Sequence, residues 1–301
     1  MKKSVSMLLA ALMLTGALAG CGSSASTSAS GTQAEDGADS GVSGAITVIS
    51  REDGSGTRGA FIELTGVEEK TADGKRVDNT TADAEIANKT DVVLTSVAGN
   101  EKAIGYISLG ALNDTVKAVK VDGAEATVDN VKAGAYKLSR PFNIATKGEP
   151  TGVAKDFISF ILSKEGQAVV TDNKYIAVDD NAAAFTSDGS SGQIAVGGSS
   201  SVSPVMEKLI EAYKAVNPNA SIDLQTSDST SGMTGAMDGT FAIGMASREL
   251  KDEEAAQLTG TAIALDGIAV IVNPANTIDE LSMDQIKSIY VGDITDWGDL
   301  A

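Results

Sequence analysis

The sequence predicts an α/β protein, and three observations predict it. Short apolar runs of strand length alternate with longer segments whose apolar residues recur at helical spacing. Two of the runs, AITVIS (45–50) and QIAVGG (193–198), feed a Gly/Ser-rich turn that opens into a helical pattern, so one plan occurs twice. No short-period repeat runs through the chain, which argues against a solenoid. Alternation of this kind indicates α/β layers rather than a β-sandwich.

Each element has its own warrant. After AITVIS the pattern over Thr57–Leu64 is helical; TDVVLTSVAG (90–99), VAKDFISFILSKEGQAVV (153–170), KDEEAAQL (251–258) and SMDQIKSIYVG (282–292) read the same way. Strand-like runs are AIGYIS (103–108), VKAVKV (116–121), FNIAT (142–146), SIDLQ (221–225), FAIGMAS (241–247) and ALDGIAVIVN (264–273). Val202, Val205, Met206, Leu209, Ile210, Tyr213 and Val216 form the apolar stripe of a helix over 202–216. SDGSSG (187–192) reads as a linker or surface loop between the two repeats of the plan.

At 301 residues the chain is long enough for one large or two ordinary domains, and its 42 % apolar share is that of a globular protein. A formal charge of -18 repels nucleic acid and anionic surfaces, so no nucleic-acid partner is expected. Residues 1–21 pair a basic start (Lys2, Lys3) with a short apolar run and small residues, the pattern of a secretion signal and too short for a permanent span. The run ends on Leu18-Ala19-Gly20-Cys21, which resembles the lipobox of bacterial lipoproteins and implies a lipid anchor on Cys21, outside the cytoplasm. Cys21 is the sole cysteine, so no internal disulfide forms. Residues 22–44, rich in Ser, Gly, Ala and acids, read as a flexible tether.

The chain contains no histidine, which rules out a Ser-His-Asp triad and a conventional zinc site. No nucleophile elbow and no phosphate loop of the nucleotide hydrolases occurs. Nothing in the arrangement of Asp, Glu and Lys argues for catalysis, and neither metal nor cofactor is expected. What the chain does carry suits a small tetrahedral anion. In SREDGSGTRGAF (50–61), Gly54 and Gly56 let backbone amides come close to a ligand, Ser55 and Thr57 add hydroxyls, and Arg51 adds a fork of donors that Asp53 could orient. Ser199, Ser200 and Ser201 crowd the start of the 202–216 helix, and SDSTSGM (227–233) is a third hydroxyl-rich turn. Micromolar affinity requires about 8 kcal/mol. A helix terminus supplies roughly 0.3–1 kcal/mol and a hydrogen bond to a charged group about 1.5–3 kcal/mol, so several donors and an arginine must converge.

These blocks carry a family likeness. SREDGSGTRGAF resembles the signature of phosphate-binding proteins of the phosphate ABC importer, the PstS type; GGSSSVSPVMEKL, SDSTSGM, IGMASREL, ALDGIAVIVNPAN and LSMDQIKSIYVGDITDW are similar to further blocks of that family. The resemblance implies a two-lobed periplasmic-binding-protein-like type II fold, of mixed sheets with flanking helices, with the ligand cleft between the lobes. It also implies capture of inorganic phosphate without chemistry and delivery to permease subunits. In ordinary members the GSSSVSP-like block comes first, so the order here resembles a circular permutation with the old termini joined through 180–192. The lobes are then expected as 45–140 plus 269–301, carrying RxDGSGT, and 141–268, carrying the other two turns. Ligand donors are expected at Arg51, Ser55, Gly56 and Thr57, with Asp53 orienting Arg51, and at Ser200, Ser201, Ser229 and Thr230 from the other lobe. Arg248 stands where members often place an aspartate that accepts the phosphate's proton; either Asp228, Asp53 or Asp266 supplies that acceptor, or Arg248 simply adds positive charge, or the ligand is another oxyanion, such as sulfate. A sensor, or a surface protein that kept the fold without the ligand, is the remaining alternative.

Overall fold

The computed structural model describes residues 42–300; residues 1–41, with Cys21, the expected signal and most of the expected tether, lie outside the described residues. Along the chain come β1 (Thr47–Arg51), α1 (Gly56–Thr65), β2 (Glu68–Lys70), β3 (Arg76–Asp78), β4 (Glu85–Ala87), α2 (Thr90–Ala98) and β5 (Ala103–Ser108). Then follow β6 (Lys117–Ala118), β7 (Lys120–Val121), α3 (Val128–Lys132), β8 (Ser139–Thr146), α4 (Gly152–Ile161), α5 (Lys164–Asp172) and β9 (Ile176–Ala177). The remainder is β10 (Gly192–Ser199), α6 (Ser203–Val216), β11 (Ala220–Ser227), α7 (Ser229–Asp238), β12 (Ile243–Ala246), α8 (Asp252–Ala255), β13 (Thr259–Val272), β14 (Glu280–Leu281) and α9 (Met283–Val291).

The main sheet runs β11-β10-β12-β8-β13-β5-β1-β4 and is mixed. At one end β10 pairs in parallel with β11 and β12; at the other β1 pairs in parallel with β5 and β4. The antiparallel strands β8 and β13 join the two ends. β13 is 14 residues long: its first part, to Gly267, pairs with β8, and from Ile268 it pairs with β5. Burial follows the same division. Apart from Ile176, one apolar cluster draws on residues within 48–138 and 268–297, including Phe61, Tyr106, Ile271 and Trp297. Another draws on residues within 142–264, including Phe157, Met206, Tyr213 and Ile263, with a smaller group around Met233 and Leu258 beside it. The fold is thus two lobes sharing one long strand.

Two expected elements come out differently. The apolar stretch 153–170 is two helices, because Ser163 donates its hydroxyl to the Phe160 carbonyl and caps α5 by accepting the Gly166 N–H at 3.2 Å. VKAVKV is broken into β6 on β13 and β7 on β14: Val119 still bonds its N–H to the Val270 carbonyl of β13 at 3.0 Å, and from Lys120, whose N–H bonds the Asp279 carbonyl at 2.9 Å, the chain turns to β14. The other strands and helices stand within a few residues of their expected bounds, except that α8 keeps only four residues of 251–258.

The segment after β9 crosses to β10 over a buried carboxylate. Asp156 accepts hydrogen bonds from Ser187 Oγ (2.7 Å), the Asp188 N–H (2.9 Å), Tyr213 OH (2.8 Å) and Asn217 Nδ2 (3.2 Å). Burial raises its pKa, yet these donors outweigh burial and leave it below the usual carboxylate value. A lowered pKa gives stability that is fully present above the unfolded value of about 4 and is lost as pH falls through the folded one. Chemical denaturation of Asp156→Asn should therefore show a shallower loss of stability between neutral and strongly acidic pH than the parent. Asp156→Ala should cost about 1–3 kcal/mol at pH 7.

Candidate functional site

The hydroxyl-rich turns lie at the carboxyl ends of the parallel strands, where open α/β sheets place their ligands. Arg51 ends β1 and Ser55 caps α1; β4 leads to Thr90, the first residue of α2. From the other lobe, β10 delivers Ser199–Ser201 ahead of α6, β11 delivers Asp228 and Ser229 at the start of α7, and β12 delivers Ser247 and Arg248. Four helices of eight residues or more thus begin around one place, and the leading amides of each lack intrahelical partners.

Short approach across the cleft requires glycine at two positions. A Cβ on Gly54 would meet the Asp228 carboxylate, and one on Gly56 would meet Ser229 Oγ and, at 2.9 Å, Ser247 Oγ. With neither Cβ present, the lobes touch directly. Thr57 Oγ1 lies 2.9 Å from Ser201 Oγ and 3.3 Å from Ser247 Oγ, and Thr90 Oγ1 lies 3.3 Å from Ser201 Oγ. Ser199 Oγ donates to Ser247 Oγ at 3.0 Å, and Ser229 Oγ accepts the Ser247 N–H at 3.1 Å. All of these side chains, Ser55 included, are buried.

Arg51 stands at the edge of this cluster with 2 % exposure. Its Nε and Nη2 donate to both oxygens of Glu52 at 2.8 Å, Nε also reaches the Ala87 carbonyl at 3.2 Å, and Nη2 reaches Ser200 Oγ at 3.1 Å. Nη1 is buried and has no partner. The strand end is held by Tyr106, whose hydroxyl accepts the Arg51 N–H at 3.1 Å and lies 2.9 Å from Ser50 Oγ; burial pushes this phenol up to about 12. Phe61 of α1 stacks on the same ring with centroids 3.9 Å apart, fixing α1 against β5.

Two sequence expectations are corrected here. Asp53 does not orient Arg51: its side chain is 97 % exposed and pairs with Arg58 at 2.9 Å, while Glu52, one residue closer and one methylene longer, holds the fork. Arg58 also bonds the Arg51 carbonyl at 2.7 Å, so the Asp53–Arg58 pair supports the strand end rather than the guanidinium. Arg248 is turned chiefly to a carboxylate, and among the described residues Thr230 is the one hydroxyl it reaches. Both of its terminal nitrogens pair with Glu254 at 2.7 and 2.8 Å, and although burial raises the Glu254 pKa, these bonds hold it below the usual value. The stem of Arg248 passes beside Gly56, and its Nη2 touches Thr230 Oγ1 at 3.3 Å. Thr230 is a contact between lobes, its N–H bonded to the Gly54 carbonyl at 3.1 Å.

Sequence reasoning missed Glu52, Thr90, Ser247 and Arg140. Ser247 had a signal, as the last residue of the FAIGMAS run (241–247), and Glu52 as the neighbour of Arg51. Arg140 had no signal as a site residue: it enters from β8, two residues ahead of FNIAT (142–146), in a stretch that the resemblance implies only as a hinge strand. Asp266, paired with Arg140, is fully buried; burial pushes its pKa up and the guanidinium works against that.

Among the described residues no group of His, Cys, Asp and Glu is placed to hold a metal ion, and no helix is long and apolar enough to cross a membrane. If the closed contacts set the resting geometry, Gly54→Val will hold the lobes apart against Asp228 and should increase the radius of gyration in small-angle X-ray scattering. An unchanged scattering profile would show that the Gly54–Asp228 approach does not govern closure.

Comparison with known proteins fits this geometry. The family model of the PBP superfamily domain matches residues 25–165 and 183–301. Phosphate-binding protein PstS 2 of Streptococcus agalactiae serotype V is 50 % identical over 302 residues, covering 99 % of this chain and 98 % of the relative. Phosphate-binding protein PstS 2 of Streptococcus pneumoniae serotype 4 is 47 % identical over 298 residues, covering 99 % of each. A crystal structure of a phosphate-binding protein of a phosphate ABC transporter from Streptococcus pneumoniae superposes with a TM-score of 0.69 at 50 % identity, over 86 % of this chain and 100 % of the other.

Proposed function

We propose that this chain, which belongs to the PBP superfamily and within it to the PstS-type phosphate-binding proteins, captures inorganic phosphate between its lobes outside the cytoplasm and passes it to an ABC importer without turnover. One observation carries the reading: a buried guanidinium nitrogen, Arg51 Nη1, is left without a partner beside a cluster of hydroxyls drawn from both lobes. An oxyanion is the ligand that satisfies such a group, because it is acceptor-rich and charge-assisted bonds are the strong ones. Arg51, Ser55, Gly56 and Thr57 from one lobe and Ser200, Ser201 and Ser229 from the other are the proposed ligand donors, with Thr90 and Ser247 added.

The lobes are proposed as 45–140 with 269–301, and 141–268, in keeping with the two buried clusters. The permuted order is proposed too. Residues 44–46 bond with 295–297, through Ile46 N–H to the Thr295 carbonyl at 2.8 Å and Trp297 N–H to the Gly44 carbonyl at 3.1 Å, so the segments that adjoin in ordinary members adjoin here in space. Cys21 is proposed as the lipidated residue, and Cys21→Ala should move the protein from the membrane pellet to the soluble fraction.

A second reading, another oxyanion such as sulfate, has its own support. The carboxylates nearest the cluster are all engaged: Glu52 with Arg51, Asp266 with Arg140, Glu254 with Arg248, and Asp228 as the cap of α7. Calorimetric titration of the full chain with phosphate and with sulfate separates the two. Phosphate should bind at submillimolar concentration, with Arg51→Ala weakening it on the order of a hundredfold or more. Absence of heat with phosphate, or a preference for sulfate, would overturn the phosphate assignment.

A further inference from the structure

Arg140 is a second buried arginine beside the cluster, with 3 % exposure, and it touches three parts of the molecule at once. Its Nη1 donates to the Asp266 carboxylate and, at 2.8 Å, to the Gly267 carbonyl, on the part of β13 where pairing passes from β8 to β5. Its Nε donates to the Ser247 carbonyl at 3.3 Å, at the end of β12 in one lobe. Its Nη2 donates to Thr57 Oγ1 at 3.0 Å, in the first turn of α1 in the other. The guanidinium also lies over the Phe142 ring, 5.2 Å from its centroid, which fixes its plane.

The last of these bonds decides where a proton goes. A guanidinium has five N–H donors and no acceptor, so Thr57 Oγ1 must accept from Arg140. Thr57 then keeps one hydrogen, and its other neighbours, Ser201 Oγ at 2.9 Å and Ser247 Oγ at 3.3 Å, lie on the opposite lobe. Because that hydrogen cannot point at a donor, it is turned away from Arg140 toward the cleft, where the O–H can donate to an anion; the second lone pair faces the same side. Without Arg140 the hydroxyl could rotate and offer a lone pair instead, which repels an anion. Asp266 cancels most of the long-range charge of Arg140, so the effect is one of orientation rather than bulk attraction.

We propose that Arg140 is a positioning residue for the anion site: it acts through Thr57, fixing that hydroxyl as a donor, and ties the donor's orientation to the strand crossing that joins the lobes. This deepens the phosphate reading and rests on it.

The test is a double-mutant cycle on the full chain, with phosphate titrated calorimetrically into the parent, Arg140→Gln, Thr57→Val and the double variant. Arg140→Gln should weaken binding by roughly tenfold or more, and the double variant should bind no more weakly than Thr57→Val alone. Arg140→Lys, which restores charge but cannot fork between Asp266 and Thr57, should stay weak. Parental affinity in Arg140→Gln, fully additive losses, or full rescue by lysine would each overturn the proposal. A merely structural arginine would lower the melting temperature and leave the dissociation constant of the folded protein unchanged. Should Arg140→Gln fail to fold because Asp266 is stranded, Arg140→Gln/Asp266→Asn removes both charges and carries the same expectations. A parent that does not bind phosphate at all defeats the functional reading instead, so the two failures are distinguishable.

Discussion

A guanidinium taken out of water must find an acceptor for each N–H or lose several kcal/mol. At Arg51 that requirement is met on one side only. Glu52, the Ala87 carbonyl and Ser200 saturate Nε and Nη2, while Nη1 is buried among groups that offer it nothing. The surroundings make sense once this residue is taken as the fixed point. Tyr106 and Arg58 clamp the backbone on either side of it, Phe61 locks the following helix to the same ring, and the opposite lobe supplies hydroxyls rather than carboxylates. Arg51 Nη1 is the donor left over at this point, and an acceptor-rich guest is the kind of group that would satisfy it.

The mixed sheet explains how groups so far apart in sequence meet. Parallel strands point their carboxyl ends, and the helix starts that follow, in one direction; two parallel halves joined through antiparallel β8 and β13 then turn those ends toward one another. β13 contributes to both cores, so a rotation of one half strains a strand common to both rather than a loose tether. Gly54 and Gly56 set how near the halves come, and the backbone contact between Thr230 and Gly54 marks the limit. Arg140 sits at the crossing itself, bonded to Asp266 and Gly267 of β13 and to Thr57 of α1.

Much of this was legible in residue order. The alternation of apolar runs with helical stripes foretold nearly every large element, and the Gly/Ser turns foretold which ends of the strands matter. The errors are instructive because each is a choice among neighbours. Either Glu52 or Asp53 could hold Arg51, and the turn geometry chose the first while Arg58, one helical turn on, took the second. Arg248 could have faced the ligand space, but Glu254, four residues into another segment, neutralised it. The helix over 153–170 reads as continuous until the Ser163 hydroxyl is seen to bond the Phe160 carbonyl and cap the next turn.

The sequence by itself determined the local chemistry: strands, capped helix starts, an arginine beside glycines and hydroxyls, and the absence of histidine, because these depend on residues within a few positions of one another. Only the tertiary structure decided which side chains face each other across the cleft, which acid pairs with which arginine, and that Arg140 belongs beside the cluster at all. Those are contacts between residues as far apart as 57 and 201, or 140 and 266. They depend on sheet order and strand crossing, which no local pattern encodes.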